Sequence, residues 1–372
     1  MTRPGGQAGT RVAGREGELA DRQTEEGSRR GRFAHRPMIV APDYHPLMPT
    51  WTTDLPRFAL LDGPSPFQRL PRFASALGGR VEVWIKREDL LPLAFGGNKL
   101  RNLEFLVGAA LADGADSLVT SGRRWSNHCR LTAAAGAKAG LAVHLVLSGP
   151  PPDPPTPGIL LDELLGATVH ITATADRAER DAAVESVASE LRTAGHRPAV
   201  IGVGGSGVIG AVGQVLAGLE LVADAEARGF VPDGLIVASA TGGTQAGLLV
   251  GLRTAGAMTA VYGIAVTPPD EVRPKILAIV RGLASQPGLV AVPAAEVRLD
   301  DGQLGDGYGH PTAAATDAAA LLARTEGILV DPIYTAKALA GLIAMVAAGA
   351  FEGRRIVFWH AGGLPGLFEP LT

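Results

Sequence analysis

The stretch FGGNKLRNLEF, Phe95 to Phe105, decides how this chain folds and where its chemistry lies. A glycine pair leads into an amphipathic helix, in which Lys99 is the first residue. The apolar side chains of this helix recur at helical spacing: Leu100, Leu103, Leu106 or Val107, and Ala110. A helix start carries partial positive charge, so the position predicts a lysine with a lowered pKa. A surface lysine that extends from a helix end into water is the simpler alternative.

The rest of the chain predicts an α/β fold with a mostly parallel sheet and crossover helices. Short apolar runs alternate with Ala- and Leu-rich helical patterns to the end of the chain. The run PPPDPPTP, Pro150 to Pro157, is expected to form an extended surface loop. The predicted strands are VEVWIKRED, DSLVTSG, LAVHLVLS, TVHIT, RPAVIGV, DGLIVASA, TAVYGIAV and RRIVFWHAGG.

The composition indicates a soluble globular protein whose partner is a small molecule. The chain has 372 residues, enough for two domains, with 46% hydrophobic residues, mean hydropathy +0.18 and net charge −3. This charge balance leaves no basic footprint for nucleic acid, and no apolar run is expected to reach the length of a membrane span. Cys129 is the single cysteine, which excludes a disulfide framework, argues against a metal site and is typical of the cytoplasm.

The first 36 residues lack the hydrophobic core of a secretory signal and are predicted to be a disordered tail. An organelle transit peptide is the alternative, because arginine is plentiful there. Five acidic residues argue against it: Glu16, Glu18, Asp21, Glu25 and Glu26.

Two strand-to-helix junctions downstream of Lys99 have the potential to bind an anion. SATGGTQAG, Ser239 to Gly247, follows a strand and opens a helix, so its glycine pair is a candidate phosphate cup or a purely steric turn. Ser126, Asn127 and His128 begin another helix, where they suit a carboxylate or simply cap the helix. In open α/β sheets ligands bind beyond the carboxyl ends of the strands, which is where both junctions lie.

Two of the four tyrosines are candidate proton donors or acceptors. Tyr308 lies between glycines in GDGYGHPT, and Tyr334 lies just before a helix in VDPIYTAKAL. Phenols act in acid–base catalysis when their pKa is tuned, although a hydrogen-bonded tyrosine at a loop edge is common.

Taken together, these segments resemble the 1-aminocyclopropane-1-carboxylate deaminase and D-cysteine desulfhydrase group of pyridoxal-phosphate enzymes. The resemblance runs from about Leu55 onward and implies the tryptophan-synthase-β-like fold, called fold type II. It implies a small α/β domain over residues 102–210 and a large cofactor-binding domain from residues 50–101 plus 211–372. The motifs that carry it are IKREDL, FGGNKLRNLEFL, SNHCRLTAA, TGGTQAG, GYGHPT, DPIYTAKAL and HAGGLPGLF.

The resemblance also implies roles for individual residues. Lys99 is similar to the Schiff-base lysine of the family, Ser126 to the residue that holds the substrate carboxylate, and Tyr308 and Tyr334 to the active-site tyrosines. The implied cofactor-binding residues are Lys99, Asn98, Asn127, Thr241, Gly242, Gly243, Thr244 and Thr335. The implied substrate-binding residues are Ser126, Asn127 and His128, to which the double arginine Arg123 and Arg124 is added as a site for an anionic β-substituent.

Several positions discriminate within the group. Deaminases typically carry Gln after Ser-Asn and Glu after the second Tyr, whereas this chain has His128 and Thr335, as desulfhydrase-like members do. Relatives commonly read His-Thr-Gly-Gly near the end, whereas Ala361 follows His360 here, which leaves Thr335 as the expected partner of the pyridine nitrogen. Trp125 is a further departure, because relatives usually have small or amide-bearing residues before the serine. Asn102 is another, because some relatives carry a lysine at that position.

The resemblance implies a cytoplasmic, homodimeric lyase that converts a small amino acid to a 2-oxo acid and ammonia by β-elimination. Ring opening and a biosynthetic elimination or replacement are the alternatives, and which of Lys99, Tyr308 and Tyr334 takes the Cα proton stays open. A catalytically silent cofactor-binding scaffold is the non-enzyme alternative, against which the retention of Lys99, Ser126 and both tyrosines argues.

Overall fold

The computed structural model describes Thr52 and residues 54–174 and 176–370, so the predicted tail over residues 1–36 lies outside the described residues. In chain order the strands are β1 (Phe67–Arg69), β2 (Glu82–Arg87), β3 (Ser117–Arg123), β4 (Ala142–Ser148), β5 (Thr168–Thr172), β6 (Pro198–Val200), β7 (Gly234–Ser239), β8 (Ala260–Ala265), β9 (Arg298–Asp300) and β10 (Arg355–His360). The helices are α1 (Pro71–Ala76), α2 (Lys99–Ala112), α3 (Asn127–Ala139), α4 (Pro157–Leu164), α5 (Arg177–Thr193), α6 (Val208–Glu226), α7 (Gly243–Thr254), α8 (Pro269–Ala284), α9 (Ala313–Glu326) and α10 (Thr335–Ala347).

These elements form two sheets, and the predicted parallel α/β fold is confirmed. The larger sheet has the order β1-β2-β10-β7-β8-β9, and the smaller has the order β5-β4-β3-β6. Every neighbouring pair is parallel except β1 and β2. All four strands of the smaller sheet fall within residues 102–210, and those of the larger sheet fall outside that range. The division of the chain into two domains at these boundaries stays a prediction.

Four short or proline-containing elements have no counterpart among the predicted ones: β1, α1, β9 and α8. β1 and β9 are three residues long, too short to show an alternating pattern. Helix α8 begins at Pro269 and contains Pro274, which disfavours a helix on local grounds. Tertiary packing outweighs that preference, because one face of α8 is buried: Val272, Ile276, Ile279, Val280 and Leu283.

Helix α6 corrects the expectation that no apolar run reaches the length of a membrane span. It has 19 residues and a mean hydropathy of 1.6, and is therefore long and apolar enough. Most of it is buried inside the protein, where it packs against α2 and α7. A Cβ on Gly213 would lie 1.9 Å from the Arg101 carbonyl oxygen, so the two helix backbones touch there. The composition of α6 is therefore that of a core helix, which is hydrophobic on all sides.

Buried ion pairs fix α2 to the larger sheet and to α6. The Arg101 guanidinium lies 2.7 Å from a Glu88 carboxylate oxygen and 2.9 Å from Glu220. Lys86 of β2 lies 2.6 Å from Glu220 and 2.5 Å from Asp224. The neighbouring carboxylates hold the pKa of Arg101 well above its usual value despite burial. These contacts set the direction of α2 from its first turn onward.

Replacing Arg101 by methionine should lower the free energy of unfolding by about 3–5 kcal/mol, because Glu88 would stay buried without its guanidinium. Urea unfolding followed by circular dichroism measures the change. Arg192→Met is the control, since Arg192 pairs with Glu185 on the exposed face of α5 and should change stability by less than about 1 kcal/mol. Equal losses in the two variants would contradict the assignment.

Candidate active site

A cavity of about 390 Å³ lies beyond the carboxyl ends of β3, β7, β8 and β10. This is the location at which open α/β sheets bind ligands. It brings together most of the residues that the sequence singles out: Asn98, Lys99, Arg123, Ser126, Asn127, His128, Thr241, Gly242, Thr244, Tyr308 and Tyr334.

Lys99 enters the cavity because the chain before it turns sharply through two glycines. Gly96 and Gly97 have φ angles of +62° and +130°, in the region that side chains disfavour. A Cβ on Gly96 would lie 2.4 Å from the Asp89 carbonyl oxygen. From the opposite side, a Cβ on Gly362 would lie 2.6 Å from the Gly97 Cα. Backbone therefore packs on backbone around the start of α2, which places the Lys99 side chain inside the cavity.

Enclosure by the protein lowers the pKa of Lys99 to about 8, through desolvation of the ammonium. At pH 7 about a tenth of such amines are neutral, against about one in three thousand at the ordinary value of 10.5. Burial, together with the nearby Lys99 charge, lowers the pKa of the His128 imidazole to about 3. The imidazole is therefore neutral at pH 7, and its Nε2 lies 2.9 Å from Thr120 Oγ1.

Two glycine-containing loops form the end of the cavity at the start of α7. Gly242 is the N-cap of α7 with φ +84° and supplies no side-chain cap, so the first N–H groups of the helix are available to a ligand. Ser206 Oγ lies 2.5 Å from Thr241 Oγ1, and a Cβ on Gly204 would lie 2.7 Å from the same oxygen. Asn98 donates to Thr244 Oγ1 over 2.7 Å, which joins this loop to the residue before Lys99. The arrangement suits an anion such as a phosphate.

The start of α3 provides a second group of polar atoms in the cavity. Ser126 is the N-cap of α3, and its Oγ accepts from Cys129 N over 3.2 Å. Asn127 accepts from Arg130 Nη2 over 3.1 Å. A Cβ on Gly122 would lie 2.6 Å from Ser126 Oγ, so only glycine lets this loop lie close to β3. Capping and ligand contact are compatible here, because the Ser126 hydroxyl can still donate a hydrogen bond.

Tyr308 and Tyr334 meet in the cavity, with their hydroxyl groups hydrogen-bonded to each other. Burial raises the pKa of both phenols, that of Tyr334 well above its usual value. The buried Asp331 carboxylate positions Tyr334 by accepting from its backbone N–H over 2.7 Å. Lys337 donates to the carbonyl oxygens of Leu304 and Gly307, which holds the loop that carries Tyr308. Both phenols are therefore protonated donors at neutral pH.

Three predicted site residues do not line the cavity. Gly243 packs on Ser206, where a Cβ would be 2.8 Å from the Ser206 Oγ. Arg124 turns away from the cavity, donates to the Pro370 carbonyl oxygen over 3.1 Å and lies over the Trp125 ring. Thr335 donates to Asp331 Oδ2 over 2.5 Å as part of the α10 start. The Thr335 hydroxyl is thus bound to Asp331, and its contact with a pyridine nitrogen stays a prediction.

The structure also adds lining residues that the sequence reasoning missed, namely Arg177, Arg180, Val203, Gly204, Glu271 and Lys275. The glycine-rich run VGGSG before α6 was a usable signal for Gly204 and the adjacent Ser206, because it resembles the other strand-to-helix loops. No local signal marks Arg180, which lies within the charged helix α5.

Comparisons with known proteins show the family to which the chain belongs. The family described as pyridoxal-phosphate dependent enzyme matches residues 58–362. D-Cysteine desulfhydrase of Salmonella typhi is 41% identical over 324 residues, which cover 85% of this chain and 96% of the relative. A crystal structure of a homologue of ACC deaminase (1-aminocyclopropane-1-carboxylate deaminase) is 34% identical with a TM-score of 0.78, and the match covers 87% of this chain and 97% of that one. The processed form of threonine deaminase isoform 2 from Solanum lycopersicum, 17% identical over 80% of this chain and 83% of its own with a TM-score of 0.58, shares the fold alone.

The chain thus belongs to the pyridoxal-phosphate-dependent enzymes, in the family of 1-aminocyclopropane-1-carboxylate deaminase and D-cysteine desulfhydrase. The residues present fit the cofactor. The cup at Thr241 to Thr244 suits its phosphate, and a Cβ on Gly242 would lie 2.6 Å from Ile276 Cγ1, so the close turn requires glycine. Lys99 has the lowered pKa that a Schiff-base amine needs.

The pKa of Lys99 gives a test that does not depend on the substrate. The rate at which the cofactor-free protein attaches added pyridoxal phosphate should rise about tenfold per pH unit up to about pH 8 and then level off, because the neutral amine is the nucleophile. Absorbance measured between pH 6 and 9.5 follows the attachment. Lys99→Ala, measured in parallel, corrects for reaction at the other lysines. A rate that still rises about tenfold per pH unit at pH 9.5 would show that the amine has its ordinary pKa.

Proposed function

We propose that this protein is a lyase that performs β-elimination on a small amino acid, with an activity like that of D-cysteine desulfhydrase. The observation that carries the proposal is one cavity shared by the Lys99 amine, the polar start of α3 and the Tyr308–Tyr334 pair. Such a cavity offers a covalent anchor, a carboxylate site and proton donors together. His128 follows Ser126 and Asn127 where deaminases typically carry glutamine, and this difference supports elimination over ring opening.

The proposed reaction balances without an oxidant or reductant. The Cα–H, Cβ–X and Cα–N bonds break, Cβ gains a proton, and the substituent X leaves with the bonding electron pair and takes up a proton if it is basic. One water is consumed, and the other products are a 2-oxo acid and ammonium. When bound, the cofactor supplies an electron-withdrawing ring that stabilises negative charge at Cα.

The residues of this chain have separate roles in the proposal. Ser126, together with the N–H groups at the α3 start, binds the α-carboxylate and orients the substrate. Lys99 accepts the Cα proton, since its pKa of about 8 lies near the working pH whereas the phenols hold their protons. The tyrosine pair donates a proton to the leaving group.

A panel of D- and L-amino acids tests the function directly. Release of 2-oxo acid and ammonia from β-substituted alanines, cysteine among them, is the expected result. Release of 2-oxobutyrate from 1-aminocyclopropane-1-carboxylate, with none from the β-substituted alanines, would support ring opening instead. A protein that binds the cofactor yet converts no member of the panel would contradict the proposed lyase.

Lys99→Ala should abolish covalent attachment of the cofactor and lower kcat by about a thousandfold or more, because the anchor and the proton acceptor are both lost. Lys138→Ala is the control, since Lys138 is exposed on α3 and outside the cavity. Borohydride reduction and peptide mapping should find the cofactor on the peptide that contains Lys99. Label on another lysine would overturn the assignment.

Tyr334→Phe should slow elimination of a poor leaving group, such as a thiol, by about a hundredfold or more, because a general acid is lost. β-Chloroalanine needs no such proton and should lose less than about tenfold. Tyr262→Phe is the matched control, since the Tyr262 hydroxyl accepts from Arg298 and does not line the cavity. A similar loss with both substrates would indicate a structural role for Tyr334 instead.

We also propose that the enzyme is a cytoplasmic homodimer. Three exposed apolar side chains on the adjacent α4 and C-terminal segments support a partner surface: Leu160, Leu164 and Phe368. Burial raises the pKa of the Cys129 thiol to about 12, so this cysteine is kept as an inert thiol. Analytical ultracentrifugation of wild type and Leu164→Glu tests the dimer, which the variant should weaken.

A further inference from the structure

The cavity carries more positive charge than is needed to bind the cofactor phosphate and one substrate carboxylate. Five of its lining residues are basic, namely Lys99, Arg123, Arg177, Arg180 and Lys275, whereas Glu271 is the acidic one. Lys275 lies at the phosphate end, because the adjacent Ile276 contacts Gly242 of the cup. Arg177 lies near Lys275, since its charge contributes to the lowered pKa of that lysine. These two cations can serve the cofactor phosphate, which leaves Arg123 and Arg180 to be explained.

Arg180 is a buried cation without a counterion among the residues that the structure describes. Its exposed fraction is 9%, and it forms no salt bridge within that part of the chain. Its Nε is buried and has no hydrogen-bond partner among the described residues, and its Nη1 makes one long contact of 3.4 Å to Ser148 Oγ. Desolvating a guanidinium in this way is costly unless an anion approaches it.

Both arginines lie at the substrate end of the cavity. Arg123 ends β3, directly opposite Ser148 in the register of β3 and β4, and Ser148 is the residue that Arg180 touches. Gly122, one residue before Arg123, packs on Ser126 at the start of α3. Arg123 also lies close enough to Tyr308 to oppose the rise of its pKa. The pair therefore lies beside the α-carboxylate loop and the tyrosines.

We propose that Arg123 and Arg180 form a subsite for a second acidic group of the substrate, a sulfonate, carboxylate or phosphate at or just beyond Cβ. The proposal rests on the proposed lyase function for the identity of the reacting amino acid. Guanidinium groups bind such anions through paired, charge-assisted hydrogen bonds. The acidic group also supplies the counterion that Arg180 lacks, so the subsite favours anionic over neutral β-substituents.

The kinetic test compares cysteate with β-chloroalanine, both enantiomers of each, as anionic and neutral substrates. Wild type should show a kcat/KM at least about tenfold higher for the anionic one, and Arg123→Gln and Arg180→Gln should each lower that ratio about tenfold or more. Arg192→Gln, an exposed arginine of the same helix α5 as Arg180, should leave the ratio unchanged. A ratio that none of the variants changes would overturn the subsite while leaving β-elimination in place.

A binding test examines the subsite without relying on turnover. Calorimetry on the holoenzyme compares succinate with butyrate, which differ by one acidic group. Succinate should bind at least about tenfold more tightly to wild type, and Arg180→Gln should remove the difference. Should Arg180→Gln fail to fold, Arg123→Gln carries the same test from a half-buried position. Equal binding of the two acids to wild type would overturn the subsite even if elimination is observed.

Discussion

The active site depends on a close contact between backbones at the start of α2. Gly362 lies so near Gly97 that a Cβ would come within 2.6 Å of its Cα, and Gly96 lies equally close to the Asp89 carbonyl. The loop after β10 and the loop after β2 can therefore meet only where side chains are absent. Asn98 N–H donates to the Ala361 carbonyl oxygen over 3.0 Å, which closes the contact. The neighbouring residue, Lys99, is placed in the cavity as a result.

The low pKa of Lys99 requires that this contact be rigid, because a lysine at a mobile helix end would reach water and regain its proton. Rigidity comes from the same first turn of α2, where Arg101 is held by Glu88 and Glu220. Gln214 of α6 adds a bond of 2.7 Å to the Asn98 carbonyl oxygen. Sheet, helix and loop thus restrain the amine from three directions, and enclosure then favours the neutral form.

The sequence predicts those features that depend on local pattern. The start of α2, the parallel strands and the glycine cup before α7 follow from periodicity and turn chemistry, and all are present. It could not separate Arg123 from Arg124, because adjacent residues of a strand end point to opposite sides and the register decides which enters the cavity. It could not find Arg180 either, since a buried arginine in a charged helix shows the same local pattern as a solvated one. It could not show that the Thr335 hydroxyl bonds to Asp331, because that acceptor is recognisable only once α10 is built.

Two positions near the cavity, Ala361 and Thr335, bear on the choice of substrate. Ala361 lines the cavity where the family resemblance leads one to expect threonine, and the hydroxyl of Thr335 is bound to Asp331. With fewer donors to support withdrawal of charge from Cα, the proposed elimination would need a β-substituent whose bond to Cβ breaks readily. The protonated tyrosine pair and the arginines lie where they can stabilise a departing group. On the proposed function, Arg123 and Arg180 would stabilise an acidic β-substituent as it departs, and would so offset the donors that Ala361 and Thr335 do not supply.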